Sequence, residues 1–307
     1  MDKEHKELER GSLSRRLIFD RPVNGSTVGL VVMVLSLTLA TTTGLLSAAV
    51  AGASGSITIA GNGPELRTIE QLARAFEKGH LGSSIDIRWD LSSHPLEIVK
   101  SGEADFAVTG QTDPDLTAIP IAWDGIAVVV DFTNPVKEVT SQQVAAIFSR
   151  KVTRWSDVGG ADISIQLINR PQNQHIRQSF EEALGIVAQI PKSAQVIRSD
   201  QKAVSTVAGN VSAVTYASLG GALDAVKYGV GVNLLVIDRV EPAEQTVKDG
   251  RYKLRRPVLL LKRKETNTAA EAFAAFALSK EGQAIVGEMF TPYGTLDKLK
   301  PSEGRKP

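Results

Sequence analysis

Residues 56–78 read Ser-Ile-Thr-Ile-Ala-Gly-Asn-Gly-Pro-Glu-Leu-Arg-Thr-Ile-Glu-Gln-Leu-Ala-Arg-Ala-Phe-Glu-Lys, and this stretch decides the fold. Residues 56–60 alternate in polarity as a β-strand does, and residues 61–64 are typical of a turn. From residue 65 onward, the apolar residues fall on one face of a helix: Leu66, Ile69, Leu72, Ala73 and Phe76. A strand that passes through a turn into an amphipathic helix predicts the first unit of an α/β domain.

The same alternation continues along the chain. Further strands are predicted at 85–89, 104–109, 126–130, 163–169, 213–216, 234–237 and 252–262, and further helices at 95–101, 141–148, 174–184 and 268–289. Such alternation predicts mostly parallel, doubly wound sheets flanked by helices. We expect two lobes, the first formed by residues 55–131 with 235–307 and the second by residues 132–234. Residues 1–54 precede them.

The N-terminal segment predicts export. A polar region with Arg15 and Arg16 is followed by an uncharged apolar stretch over residues 28–53, which ends in small residues such as Ala49 and Ala51. This order is typical of a secretory signal peptide. An uncleaved membrane anchor is the alternative, because the stretch is long enough to span a bilayer. Either interpretation predicts a periplasmic or other extracytoplasmic location. Both Sec and twin-arginine export remain open.

Composition excludes several classes of function. The formal net charge is +1, so no basic excess predicts nucleic-acid binding. The 307 residues include no cysteine, which excludes disulfides, thiol catalysis and cysteine-ligated metal sites. We find no motif typical of a hydrolase or of a metal cluster, and therefore expect no catalytic residue, no metal site and no cofactor.

Several motifs occur in a fixed order. Besides residues 57–76, they are Gly-Glu-Ala-Asp at 102–105, Trp-Asp-Gly-Ile-Ala-Val-Val-Val at 123–130, Arg-Trp-Ser-Asp-Val-Gly-Gly at 154–160, Arg170 through Phe180, Asp-Arg-Val-Glu-Pro at 238–242, Tyr252 through Pro257, and Ser-Lys-Glu-Gly-Gln at 279–283. In order and spacing, this set resembles the phosphate-binding proteins of ABC importers. The resemblance covers residues 57–296 and implies a type II, two-lobed periplasmic binding protein. It implies a monomer that delivers a small oxyanion to a permease and ATPase complex.

The resemblance also implies a site. In that family, backbone N–H groups at helix N-termini, hydroxyls, one arginine and one aspartate hold a dehydrated anion between the lobes. The matching positions in this chain are Asn62, Gly63, Ser92, Asp105, Arg170, Gln174 and His175, with Ser93, His94 and Ile176 as possible additions. Structural alternatives stay open for three of them. Ser92 is equally suited to cap a helix, Asp105 to a turn, and Arg170 to a surface ion pair.

One loop departs from the family pattern. Where the family has Ser-Gly-Thr, this chain has Gln174-His175-Ile176, and Pro95 removes a backbone donor from another loop. His94 and His175, one in each of these two loops, have no counterpart in the family pattern. They are interpreted as solvated loop residues, as donors to an anion, or as metal ligands. Under the donor interpretation, ligand affinity falls as pH rises above the histidine pKa.

Three functions are therefore considered. The leading interpretation is a solute-binding protein for phosphate or a related oxyanion. A degenerate paralogue that acts as a sensor or scaffold with a different ligand is the alternative, and the altered third loop favours it. An extracytoplasmic phosphatase is the third, although it lacks an evident nucleophile or metal cluster.

Overall fold

A computed structural model describes residues 54–294 of the protein. The predicted signal or anchor over residues 28–53 lies outside these residues. The strands are β1 (Gly55–Gly61), β2 (Ser83–Trp89), β3 (Phe106–Thr109), β4 (Thr117–Asp131), β5 (Glu138–Val139), β6 (Gln166–Asn169), β7 (Gln195–Val196), β8 (Ala213–Ser218), β9 (Val232–Leu234), β10 (Val236–Ile237), β11 (Arg255–Lys262) and β12 (Thr291–Pro292).

The helices connect these strands and cover the sheet. They are α1 (Leu66–Gly79), α2 (Pro95–Ser101), α3 (Ser141–Phe148), α4 (His175–Ala183), α5 (Asp200–Val207), α6 (Leu219–Lys227), α7 (Glu244–Lys248), α8 (Thr268–Ala277) and α9 (Lys280–Val286). A short 3₁₀ turn spans Trp155–Val158. Local sequence explains their starts: Thr140 and Gln143 form a capping box at α3, and Ser199 and Asn267 cap α5 and α8.

The principal sheet runs continuously through the molecule in the order β2-β1-β3-β11-β4-β8-β6-β7. The long strand β4 joins its two halves. Residues 117–125 of β4 pair with β11, and residues 126–131 pair with β8 and β9, antiparallel in each case. Strands β1, β2 and β3 are parallel to one another, as are β6 and β8. The sheet is therefore mixed, and the expectation of mostly parallel strands is wrong at its centre.

The buried apolar residues along this sheet form three clusters. Two of them lie on opposite faces of β1 and β3 and are together called the first core, and the third is called the second core. In the first, β1 and β3 are covered on one face by α1 and α8, which contribute Phe76 and Phe273. Their other face packs against α2, through Val99. The second core includes β6 and β8 and extends along the chain from Ile126 to Leu254. Since β3 is buried on both faces, it is apolar over nearly its whole length, whereas the edge strand β2 alternates with exposed polar residues. The lobe boundaries at 131/132 and 234/235 remain a prediction.

Within residues 54–294, no helix is both long and apolar enough to span a membrane. The α/β prediction is confirmed for these residues, and so are most of the predicted elements. Helices α5, α6 and α7 have no counterpart in the sequence analysis.

Candidate solute-binding site

Loops from the two cores meet beyond the carboxyl ends of β1 and β6. The side-chain amide of Asn62 donates hydrogen bonds to the carbonyl oxygens of Ser93, at 2.9 Å, and Asn173, at 3.2 Å. In return, the Asn173 amide donates to the carbonyl oxygens of Leu91 and Ser93. Gln174 donates to the Asn62 carbonyl at 3.3 Å. These bonds join loops of both cores directly, as expected for the cleft of a two-lobed protein.

A cavity of about 470 Å³ lies at this junction. Its wall carries mainly neutral hydrogen-bonding side chains: Asn62, Thr109, Gln111, Gln172, Asn173 and Gln178. His94, His175 and the exposed Glu97 also contribute, while no lysine or arginine is among the lining residues. Amide and hydroxyl groups can both donate and accept, so the wall suits a small polar solute.

A buried charge cluster lies behind His175. Nη2 of Arg256 is 2.6 Å from Oε1 of Glu65 and 2.7 Å from Oδ2 of Asp124. Ser218 donates to the other oxygen of Asp124 at 2.8 Å. Glu65, Asp124 and Arg256 are each 1% exposed. Because a buried charge without a partner is costly, these groups depend on one another.

Burial and pairing shift the pKa values in this cluster. Burial raises the pKa of Asp124 to about 6, because Arg256 and Ser218 offset the loss of water only partly. Burial also acts to raise the pKa of Glu65, but Arg256 and His175 outweigh it and lower that pKa to about 2. Burial would lower the pKa of Arg256, yet the two carboxylates outweigh it and raise the value. Glu65 and Arg256 are therefore ionised at neutral pH.

His175 is a neutral member of the cluster. Nη1 of Arg256 lies 2.6 Å from its Nδ1, and a guanidinium can only donate, so Nδ1 accepts. The ring hydrogen is then on Nε2, which lies 3.5 Å from Oε2 of Glu65. Burial lowers the pKa of His175, although Glu65 opposes this. The interpretation of His175 as a protonated donor to an anion therefore does not fit this geometry.

Gly63 makes room for these two side chains. A Cβ atom at residue 63 would lie 2.3 Å from both Oε2 of Glu65 and Nε2 of His175. The carbonyl oxygen of Gly63 accepts a hydrogen bond from the Trp89 indole at 3.1 Å. Several buried polar atoms in the described residues have no hydrogen-bond partner, and three of them lie here: Oδ1 of Asn62, and Oε2 of Glu65 with Nε2 of His175, which face each other at 3.5 Å. Unpaired polar atoms of this kind are expected where a ligand binds.

The predicted serines lie at the rim of the site. Ser92 is exposed and donates to the side chain of Asp90 through both its hydroxyl and its backbone N–H. Ser93 contributes its carbonyl oxygen to the bridge between the cores, and its hydroxyl bonds the Asp90 carbonyl. Neither serine caps α2, whose N-cap residue is the exposed His94. The alternative interpretation of Ser92 as a helix cap is therefore wrong.

Arg170 and Asp105 are not brought to the cavity. Arg170 is fully buried and donates to the carbonyl oxygens of Ile197, Ser199 and Tyr216. It also pairs with Asp200 at 2.9 Å, so its charge holds the second core together. It is not the surface ion pair of the alternative interpretation.

Asp105 precedes β3 and so lies at the opposite end of the sheet from Asn62. There it accepts hydrogen bonds from the Thr58 backbone and the Asn267 amide. Ile176 is 1% exposed and packs into the second core.

The family model described as a PBP superfamily domain matches residues 46–281, well over half of the chain. The chain belongs to the PBP superfamily.

Solved structures of PBP proteins share this fold. One is assigned as a phosphate ABC transporter substrate-binding protein from Clostridium perfringens, with phosphate bound. It is 27% identical with a TM-score of 0.70, and the match covers 78% of this chain and 99% of that one. An ABC-type phosphate transport receptor from Vibrio cholerae is 26% identical with a TM-score of 0.67, over 76% and 98%.

Among curated proteins, the phosphate-binding protein PstS of Borreliella burgdorferi is 23% identical over 175 residues, or 54% of this chain. The chain spans 62% of the length of that relative.

Three residues of this PBP cleft were not selected from the sequence: Glu65, Asp124 and Arg256. Each had a signal. Asp124 and Arg256 stand directly beside apolar strand residues, where a charge needs a buried partner. Glu65 stands just before the first turn of a helix, where a carboxylate is favoured. What the sequence does not show is that the three meet.

Proposed function

We propose that this chain is an extracytoplasmic solute-binding protein, which takes a small oxyanion into the cavity between its cores and delivers it to an ABC permease and ATPase. Phosphate is the first candidate solute. The observation that carries the proposal is the cavity itself. It is lined from both cores by hydrogen-bonding side chains, and two of its buried polar atoms, on Asn62 and His175, lack a partner.

The start of α4 supports an anion in this cavity. The first hydrogen bond of that helix is donated by Arg177 to Gln174. The N–H groups of His175 and Ile176 precede it, and a helix N-terminus of this kind favours negative charge. His175 and Gln178 line the cavity, so this end of α4 faces it.

Relatives support the class of solute and the partner. The Clostridium perfringens structure holds phosphate, and the Vibrio cholerae protein is a phosphate transport receptor. Carried to this chain, they favour a solute-binding role and an importer as partner. We further propose that the chain acts without catalysis and as a monomer, as its motifs suggest. Residues 28–53 would then export the chain or tether it to the membrane. Ligand contacts are proposed for Asn62, Gln174 and His175, with His94 at the rim.

Isothermal titration of the full chain with phosphate, sulfate, molybdate and arsenate tests this function. We expect saturable binding of at least one of the four. Gln111 also lines the cavity, and we propose that its amide contacts the solute. Gln111→Ala should therefore weaken binding about tenfold or more, because a hydrogen bond to a charged solute is lost. Gln189→Ala is the matched control, because Gln189 is exposed and bonds only the Gly185 carbonyl in the described structure. Absence of binding for all four anions would contradict the proposal.

A second candidate is a sensor or scaffold that recognises another ligand or a partner protein. It is favoured by the carboxylate of Glu65 close to the cavity and by the direct bonds between Asn62 and Asn173. Both features let the two cores associate through the chain's own atoms. In that case none of the four anions would bind.

A further inference from the structure

Arg256 lies directly behind the wall residue His175, and its charge is already paired. Its guanidinium contacts Glu65 at 2.6 Å and Asp124 at 2.7 Å, and all three side chains are buried. Two carboxylates therefore face one guanidinium. An anion that enters the cavity meets no lysine or arginine among the lining residues.

Glu65 places a fixed negative charge close behind the cavity wall. Oε2 of Glu65 lies 3.5 Å from Nε2 of His175, and His175 is itself a wall residue. A solute that accepts a hydrogen bond from Nε2 would lie close to this carboxylate, because both would face the same nitrogen atom. At such separations in a protein interior, the repulsion between unit charges is substantial and is weakly screened by salt.

His175 does not cancel this charge. A proton on Nδ1 would require the ring to give up its hydrogen bond from Arg256, because both groups would then be donors. Two further titratable wall residues, His94 and Glu97, are exposed to water, which screens their charge. The other contributors to an anion site are the wall amides, the hydroxyl of Thr109 and the N–H groups at the start of α4, and these are neutral. Neutral donors can hold a singly charged oxyanion against Glu65 more readily than a doubly charged one.

We propose that Glu65 is a charge-selecting residue, so that the cavity accepts oxyanions with one negative charge and disfavours those with two. Phosphate is then bound as its monoanion. This inference rests on the proposed function, since it concerns the solute of the same cavity.

The test uses molybdate and perrhenate, two tetrahedral oxyanions of nearly the same size with two charges and one. Affinities for the full chain and for Glu65→Gln are measured by isothermal titration at one pH and ionic strength. Gln keeps the shape and an acceptor oxygen but removes the charge. We expect molybdate affinity to rise on the order of tenfold or more. The logarithmic gain for perrhenate should be about half as large, because Coulomb energy is proportional to solute charge.

Glu70→Gln is the control. Glu70 lies on the same helix, is partly exposed, and pairs only with Arg74 in the described structure. Its substitution should change neither affinity. Equal gains for both anions in Glu65→Gln would indicate a change of shape and would overturn the inference, as would no gain.

The wild-type protein gives a test that needs no variant. Perrhenate should bind at least as tightly as molybdate, and tighter molybdate binding would overturn the charge selection while leaving the proposed function in place. Binding of neither anion to either protein would overturn the charge selection, because removal of the carboxylate would then have created no affinity for these anions. The proposed function is decided separately, by the titration with phosphate, sulfate and arsenate.

Discussion

Asp124 and Glu65 share one guanidinium, yet their pKa values move in opposite directions. Burial raises the pKa of Asp124 from 3.8 to about 6, whereas Arg256 and His175 overcome burial and lower that of Glu65 from 4.5 to about 2. Between pH 4 and 6 the folded protein holds a proton on Asp124 that the unfolded chain releases. The contribution of Asp124 to the free energy of unfolding therefore falls by about 3 kcal/mol as pH rises through this window. Glu65 has the opposite effect: as pH rises from 2 to 4.5, its ionisation in the folded protein raises the free energy of unfolding.

Denaturant unfolding between pH 3 and 7 measures this effect. In the Asp124→Asn variant, the contribution that falls between pH 4 and 6 should be absent, because the titrating group is gone. Asp86→Asn is the control, since Asp86 lies on the exposed side of β2 beside Arg88. If Asp124→Asn retains the wild-type slope, another group is responsible.

At the residue scale, the sequence predicts the loops of the site but not the direction of every side chain. Asn62, Gln174 and His175 follow or precede clear elements, and they meet in the cleft. The motif at 102–105 predicts Asp105 in the site, but this residue stands directly before β3 and so lies at the other end of the sheet from Asn62. A motif match does not record which end of a strand faces the cleft. The burial of Arg170 depends on carbonyl oxygens from distant loops, which no local pattern records.

The elements show where periodicity is informative. The apolar residues 126–130 were predicted as a buried strand, but the 15-residue length of β4 was not. Its first half contains Pro120, Asp124 and Gly125, which usually end a strand. They are accommodated because β11 pairs alongside with a bulge between Val258 and Leu259. A segment without the alternating apolar pattern of a strand can thus form one when a neighbouring strand supplies its hydrogen bonds.

Two adjacent glycines of α6 give an element-scale prediction. A Cβ atom at Gly220 would lie 2.0 Å from the carbonyl oxygen of Met289, whereas one at Gly221 would meet nothing within 4 Å. Gly220→Ala should therefore lower the free energy of unfolding by about 1–3 kcal/mol, because a backbone atom has to move. Gly221→Ala should raise it by about 0.5–1 kcal/mol, as expected for alanine in a helix.

Urea unfolding of the two variants measures the difference. Because both substitutions add one methyl group to the same helix, propensity cancels between them. Equal stabilities would contradict the close packing of α6 against Met289.

At the scale of the whole molecule, the two cores are joined by the continuous strand β4 and by the bonds across the cleft. The exposed ion pair between Arg67 and Asp224, at 3.5 Å, adds little because water screens it. The amide of Asn173 is better placed, since it bonds two carbonyl oxygens of the loop at residues 91–93. We infer that Asn173 stabilises, without a ligand, the arrangement in which these loops touch, here called closed.

Asn173→Ala should therefore shift the protein toward an open arrangement. Loss of two hydrogen bonds worth about 1 kcal/mol each changes the ratio of closed to open molecules by about tenfold or more. Because the chain has no cysteine, spin labels can be attached at Lys78→Cys and Lys192→Cys, both exposed and on different cores. Double electron–electron resonance should give a longer distance between them in Asn173→Ala. Asn233→Ala, which removes an amide bond to the Phe132 carbonyl, should leave the distance unchanged. If the distance stays the same in both variants, the amide bridge does not control closure, and β4 with its packing holds the cores in place.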